Sequence, residues 1–421
     1  MTKNKLLTDS NFIKVPLNLP ELMVLSQTVT KDSLRVTVQA VSSQARCPHC
    51  QTLSQQMLKD NRFRRVQDLN ALHLKVFLYL RQRRFFCDIC QKRFLERFSF
   101  LAEKARLTKR LQSHLLQQMR SRSILQTALA NQVSYRQTAY LCFAKGSQMN
   151  TLANSQSLPK RLGIDEFALR KGHRYATALT NLEKAEICGI GEERTTQTVI
   201  KLLGTNKRRL KKVREVAMDM WKPFHAAVKK CVPHAKRVID RFHVERYFTK
   251  AVDKCRKRWQ KSDQEIGKKL KSQRKLFITK SKNLSSEEKQ LRDEILQAIP
   301  ELKRAVRLLE ALQNWYQKPK EQPNAEHKLR ILIRILRLSN IKEMVELAKT
   351  LENWTTEIAN YFLSYASNGR SEGFNTKIKL IKRVGYGRLT FTHLQARIFL
   401  ECFHPPLTTN CQRAKIKGSL Q

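Results

Sequence analysis

The chain has 421 residues, with 82 Lys and Arg against 35 Asp and Glu, a formal net charge of +47. Self-repulsion at that charge costs stability unless a polyanion offsets it, which points to nucleic acid and disfavours a small-molecule enzyme. A hydrophobic content of 41% supplies a core and excludes a disordered basic tail, and ten Cys are too sparse for a secreted disulfide scaffold.

Residues 1–45 read as a lead-in with one short strand, Leu34–Val41, whose apolar residues alternate. The start shows no apolar run with a cleavage site, and no uncharged apolar stretch reaches the roughly 18 residues of a membrane span. A cytoplasmic chain with reduced thiols and no membrane association is the expectation.

Residues 46–100 carry Cys47-Pro-His-Cys50 and Cys87-Asp-Ile-Cys90, separated by 36 residues. Each CxxC knuckle aims two thiolates at one point, and four complete the tetrahedron that Zn²⁺ prefers. Strand-like residues Leu72–Phe86 could form a hairpin that brings the pairs together. His49 reads as a knuckle residue, and the single cysteines (among them Cys142 and Cys255) read as small core residues.

Residues 101–146 look helical. Leu107, Leu111, Leu115 and Met119 recur at four-residue steps. Ile124, Leu125, Ala128 and Leu129 suggest the apolar face of a short helix, Ser134 a helix N-cap, and Tyr135–Phe143 a second helix. Arg136 and Gln137, early in that second helix, fit the base-reading positions of a helix-turn-helix; a plain helical hairpin is the alternative. The polar, Pro-containing segment 147–160 reads as a linker.

From residue 161 the period changes. Strands are expected at Leu162–Phe167, Tyr175–Thr180, Glu186–Ile190, Val213–Met218 and Arg237–Ile239, with helices at Thr195–Leu203 and Trp221–Cys231. This is a mixed-sheet α/β layout. Residues 244–360 are a basic helical block; the stretch 241–282 alone has a net charge of +11. In the segment 361–403 a helix over Ser371–Arg383 buries Phe374, Ile378 and Ile381 and shares Glu372, Asn375, Lys379 and Lys382 on another face. Residues 404–421 form a tail.

Four acidic residues stand out by position. Asp165 lies within an apolar strand, Asp219 and Asp240 end two others, and Glu372 opens a basic helix. A carboxylate in an apolar strand is costly without a partner, which could be an Arg or a divalent cation. Two Mg²⁺ ions about 4 Å apart can hold the attacking and leaving oxygens of a phosphoryl transfer.

Taken together, several stretches resemble insertion-sequence transposases of the ISL-three family over roughly residues 45–400. They are CPHC…CDIC with RRFFC and RFLERF, the helix-turn-helix window, GIDEFALRKGHRYAT, VAMDMWKPFHAAV, RVIDRFHV and SNGRSEGFNTKIKLIKRVGYG. The resemblance implies a DDE-type catalytic domain with a ribonuclease-H-like fold and a helical insertion, holding two Mg²⁺ through two Asp and one Glu. Asp165 matches the first Asp and Glu372 the Glu. Asp219 is the choice for the second Asp and Asp240 the alternative, with His243 in a supporting role from a DxxH signature. Arg170, Lys171, Lys379, Lys382 and Arg383 are candidate phosphate contacts. The implied partners are double-stranded terminal inverted repeats and target DNA, handled by a homodimer or larger assembly. A catalytically silent DNA-binding regulator and a metal-dependent ribonuclease are the competing readings.

Overall fold

The computed structural model describes residues 17–403, apart from 171, 205, 263, 318–320, 365–368 and 386–388, and apart from the side chains of 59–61, 322, 364 and 369–372. Lys171 and Cys411 lie outside the described residues, as does the side chain of Glu372. The chain divides into two compact units, residues 1–143 and 144–421. Among the described residues no helix is long and apolar enough to cross a membrane.

The first unit is built on a sheet of β1 (Leu22–Val29), β2 (Ser33–Ala40), β5 (Met57–Gln67), β6 (Lys75–Cys87) and β7 (Lys92–Leu95). Its order is β1-β2-β6-β5, with β7 also on β6, while β3 (Ala45–Arg46) and β4 (Leu53–Ser54) form a small separate pair. Two expectations change here. The described part of the lead-in belongs to this sheet, because β2 runs parallel to β6 and places Val36 and Val38 in one core with Val66, Leu78 and Leu80. The hairpin is β5 with β6, and β5 has no clear apolar alternation: its sequence MLKDNRFRRVQ is dominated by cations and polar groups.

Three helices follow. α1 (Lys109–Gln118) buries Leu111 and Leu115. α2 (Ile124–Ala130) starts at Ser123, whose hydroxyl accepts from the Gln126 N–H while the Gln126 side chain returns to the Ser123 N–H, a reciprocal cap. α3 (Tyr135–Ser155) opens with Ser134 accepting from the Gln137 N–H. The face of α2 is rotated from the expected one: Ile124, Thr127 and Ala128 are buried, whereas Leu125 and Leu129 are exposed. α3 does not stop at Phe143, and residues 147–155 of the expected linker continue it. No Pro or Gly falls in 147–155 to end the helix; Pro159 does lie beyond it. Arg209 donates to the carbonyls of Ala153, Asn154 and Gln156, which satisfies the open end of the helix.

The second unit holds a sheet of β8 (Arg161–Arg170), β9 (Arg174–Asn181), β10 (Glu186–Glu192), β11 (Glu215–Met218) and β12 (Lys236–Ile239), in the order β10-β9-β8-β11-β12. β9 and β10 pair antiparallel; β11 runs parallel to both β8 and β12. All five strands agree with the sequence reading to within a few residues. α4 (Thr196–Leu203), the short α5 (Lys207–Leu210) and α6 (Lys222–Cys231) connect them. The parallel strands are short and apolar because both faces are covered.

The helical block runs through α7 (Arg241–Ser262), α8 (Gln264–Leu270), α9 (Arg274–Ile278), α10 (Ser286–Ala298), α11 (Pro300–Gln317), α12 (Gln322–Arg337), α13 (Lys342–Glu352), α14 (Thr355–Ala359) and α15 (Tyr361–Ser364). One continuous core joins it to the sheet, from Leu162 and Met218 to Leu351 and Phe362. The chain then returns to the sheet with α16 (Gly369–Val384), which packs on β8, and α17 (Phe391–Cys402), which packs on β10. Phe374, Ile378 and Ile381 are buried as the spacing requires.

Candidate active site and zinc-ligand cluster

The sheet register places three carboxylates in one row. Ile164 of β8 is opposite Met218 of β11, and Met218 is opposite Ile239 of β12. The next residue on each strand is Asp165, Asp219 and Asp240. Ligand atoms of Asp165, Asp219 and His243 lie within 4.8 Å of one another, an arrangement that could hold a metal ion. His243 reaches Asp219 from the first turn of α7, with Nε2 2.6 Å from Oδ1.

Asp240 serves differently. It is 2% exposed, and its carboxylate accepts from the Phe242 N–H at 3.1 Å, at the start of α7. That position suits an N-cap, where a carboxylate satisfies an otherwise open helix donor.

Asp165 is 5% exposed. Its Oδ1 accepts from the Glu166 N–H at 2.8 Å and its Oδ2 from the Asn375 amide at 2.7 Å. Asn375 stands on α16, three positions after Glu372 on the same helix. Burial, reinforced by the neighbouring Asp219, pushes the Asp165 carboxyl up to about 7. Burial works against a charged His243, but the contact with Asp219 outweighs it and raises the imidazole above its ordinary value.

This donor set fits a hard divalent cation. The Asp165 and Asp219 carboxylates lie together, and the buried Asp219 Oδ1 has no aligned hydrogen bond despite the nearby imidazole. A cation would neutralise the pair and occupy that open oxygen.

The four paired cysteines also converge. Sγ of Cys47 lies 3.6 Å from Cys90 and Sγ of Cys50 lies 3.4 Å from Cys87. A zinc tetrahedron with Zn–S bonds of roughly 2.3 Å needs S···S separations of about 3.8 Å. The two knuckles close alike: Gln51 and Gln91, each just after the second Cys, take positive φ of 63° and 54°. Hydrogen bonds from Thr52 bring the Cys50 thiol down to about 6, while desolvation and the adjacent thiols push Cys90 up to about 12. His49 is exposed and stands outside the cluster.

Residues 162–398, more than half the chain, match the family described as a transposase, of the DDE, ISL-three type. The chain belongs to the ISL-three transposases. Residues 43–90 of this transposase match the zinc-finger of transposase IS204/IS1001/IS1096/IS1165, which agrees with a structural zinc at the four cysteines. The transposase is also 27% identical over 352 residues to the transposase for insertion sequence element IS1001 of Bordetella parapertussis, covering 81% of this chain and 84% of that protein.

The other candidate residues of the transposase are spread more widely. Arg136, Arg170, Lys379 and Arg383 are exposed, and Gln137 is half-buried. Lys382, read from sequence as a phosphate contact, donates to the carbonyls of Ala168 and Leu169 at 2.5 and 2.8 Å and so ties α16 to β8. Burial lowers its pKa. Glu166 points away from Asp165 into an ion pair with Arg194 at 2.9 Å, in line with a structural role. Arg194 lies outside every stretch singled out in the sequence, and Tyr175 and Trp221, whose rings the Arg194 guanidinium covers, fall within GIDEFALRKGHRYAT and VAMDMWKPFHAAV with no role assigned to either.

Proposed function

We propose that this transposase binds the terminal inverted repeats of its insertion sequence and cuts and joins DNA at a site built on Asp165, Asp219 and Glu372. The observation that carries the reading is the convergence of Asp165, in the middle of β8, with Asp219, just past the end of the adjacent β11, and the hydrogen bond from the Glu372-bearing helix to Asp165 through Asn375. The strand order and the late return of α16 to the central strand agree with a ribonuclease-H-like domain carrying a helical insertion. Residues 161–243 and 361–403 form that domain in this reading, and 244–360 its insertion.

Two Mg²⁺ ions held by these carboxylates would supply charge for the attacking and leaving oxygens of an in-line phosphoryl transfer. The chain's own part is positioning. Asn375 fixes the Asp165 carboxylate, His243 holds Asp219, and Lys382 fastens the Glu372 helix to β8. Water attacks the phosphorus at the element's end and the 3′-oxygen leaves as a hydroxyl. That hydroxyl then attacks a target phosphodiester, with one bond formed and one broken at each stage. Asp219 is preferred to Asp240 as the second carboxylate because Asp240 is engaged at the start of α7.

DNA recognition is assigned to the first unit. In this reading α2 and α3 are a helix-turn-helix, with Arg136 and Gln137 toward the bases. Arg64, Arg65, Lys104 and Arg106 line a concavity with Ser134, Arg136, Gln137 and Tyr140, and among the described residues no acidic one lines it. Phosphate contacts of this kind make affinity fall steeply with salt. Two copies would bring two ends together.

The test is incubation of the purified chain with Mg²⁺ and DNA bearing the repeats that flank its reading frame. Nicks at the repeat ends and joined products are expected. Tight binding of the repeats with no Mg²⁺-dependent cleavage would favour the DNA-binding regulator instead.

A further inference from the structure

We propose that Trp221 is a stacking platform for an unpaired nucleobase beside the scissile phosphate, an inference that rests on the DNA-cleaving function proposed above. The residue follows Asp219 by two positions, and its N–H donates to the Asp219 carbonyl at 2.7 Å. The indole is 38% exposed although it stands two positions from a carboxylate of the proposed site. It stands at the N-cap of α6 without making a capping bond, so local helix structure does not account for it.

The ring is nevertheless held firmly. Its Nε1–H donates to the Arg194 carbonyl at 3.1 Å, and the Arg194 guanidinium lies 4.8 Å from the ring centroid. Arg194 also stacks on Tyr175 at 4.3 Å and pairs with Glu166, the neighbour of Asp165. A closed set of contacts thus runs from Asp165 through Glu166 and Arg194 to Trp221 and back to Asp219. A second exposed ring, Phe242 at 52%, adjoins His243.

Bases offer what this surface lacks. Every base has a π-face, so stacking tolerates any sequence, and the positive Arg194 strengthens the platform. A base can reach the indole only when it is unpaired, so the inference implies local strand opening at the cut.

Single-turnover cleavage of repeat-end DNA by wild type, Trp221→Ala and Trp221→Phe, on intact substrates and on substrates with one base removed at successive positions around the cut, tests this. Trp221→Ala should cut roughly ten- to a hundredfold more slowly, with repeat binding retained, and Trp221→Phe should recover most of the rate. Removing one particular base should slow wild type to the Trp221→Ala rate and slow Trp221→Ala no further. Equal rates for wild type and Trp221→Ala would overturn the proposal. So would equal impairment of both variants with effects additive to base removal at every position. Absence of cleavage by wild type would remove the proposed function itself and the stacking role with it.

Discussion

Asn375 donates its side-chain amide to the Asp165 carboxylate at 2.7 Å, across 210 residues of sequence. This contact ties the helix that carries Glu372 to the central strand of the sheet. It also sets the first prediction. A hydrogen bond to a charged group contributes about 1.5–3 kcal/mol, so Asn375→Ala should slow cleavage roughly 10- to 100-fold. Single-turnover rates across a Mg²⁺ titration would show the loss in both rate and metal affinity. An unchanged rate would detach Asn375 from the site.

A second expectation concerns pH. Burial and Asp219 push Asp165 up to about 7, well above the ordinary 3.8. The folded, metal-free protein therefore keeps a proton that the unfolded chain has lost. Its stability should fall as pH rises from about 4 through about 7. A divalent ion competes for the same oxygens, so its affinity should rise through that window and level off above it. Calorimetric titration with Mn²⁺ at pH 6 and pH 8 reads the effect: weaker binding with proton release at pH 6, tighter binding with little release at pH 8.

The zinc cluster makes its own prediction. Ala45, Cys47, Phe85, Cys87 and Phe94 form a small separate core around the four sulfurs. So few apolar groups cannot hold the knuckles without the metal. Cys87→Ser should bind less than one zinc per chain by elemental analysis, expose 43–95 to protease, and weaken repeat binding.

Gly146 tests the packing of α3 within the second unit. A Cβ there would lie 2.1 Å from the Ala396 carbonyl of α17. Gly→Ala inside a helix ordinarily stabilises by about 0.5–1 kcal/mol. Here the obstacle is backbone, and overpacking costs typically about 1–3 kcal/mol. Gly146→Ala should lower the melting temperature by several degrees, and a rise would contradict the close crossing.

The sheet of the second unit was legible because its short strands are apolar runs bounded by turns, and buried parallel strands read that way. Asp165 was legible as a charge where the pattern demands an apolar residue, and Asp219 as a carboxylate closing an apolar strand. The four cysteines carried their own spacing. β5 was not legible, since MLKDNRFRRVQ is held in place by β6 rather than by its own alternation. The length of α3 was missed for a similar reason: its residues 147–155 are polar, and their helix is sustained by Arg209 and by contact at Gly146. Leu125 and Leu129 misled because apolar residues on a seven-residue helix fit more than one face. Arg194 and Trp221 act through tertiary contacts that leave no periodic trace.

The central claim is that Asp165 and Asp219 hold the chemistry while Asp240 serves the fold. Single-turnover cleavage of repeat-end DNA by Asp165→Asn, Asp219→Asn and Asp240→Asn, each first shown to bind that DNA and to melt cooperatively, tests it most directly. Loss of cleavage by at least a thousandfold in the first two, roughly 4 kcal/mol of transition-state stabilisation, with activity surviving in Asp240→Asn, is the predicted result. Normal cleavage by Asp219→Asn with abolition in Asp240→Asn would contradict it.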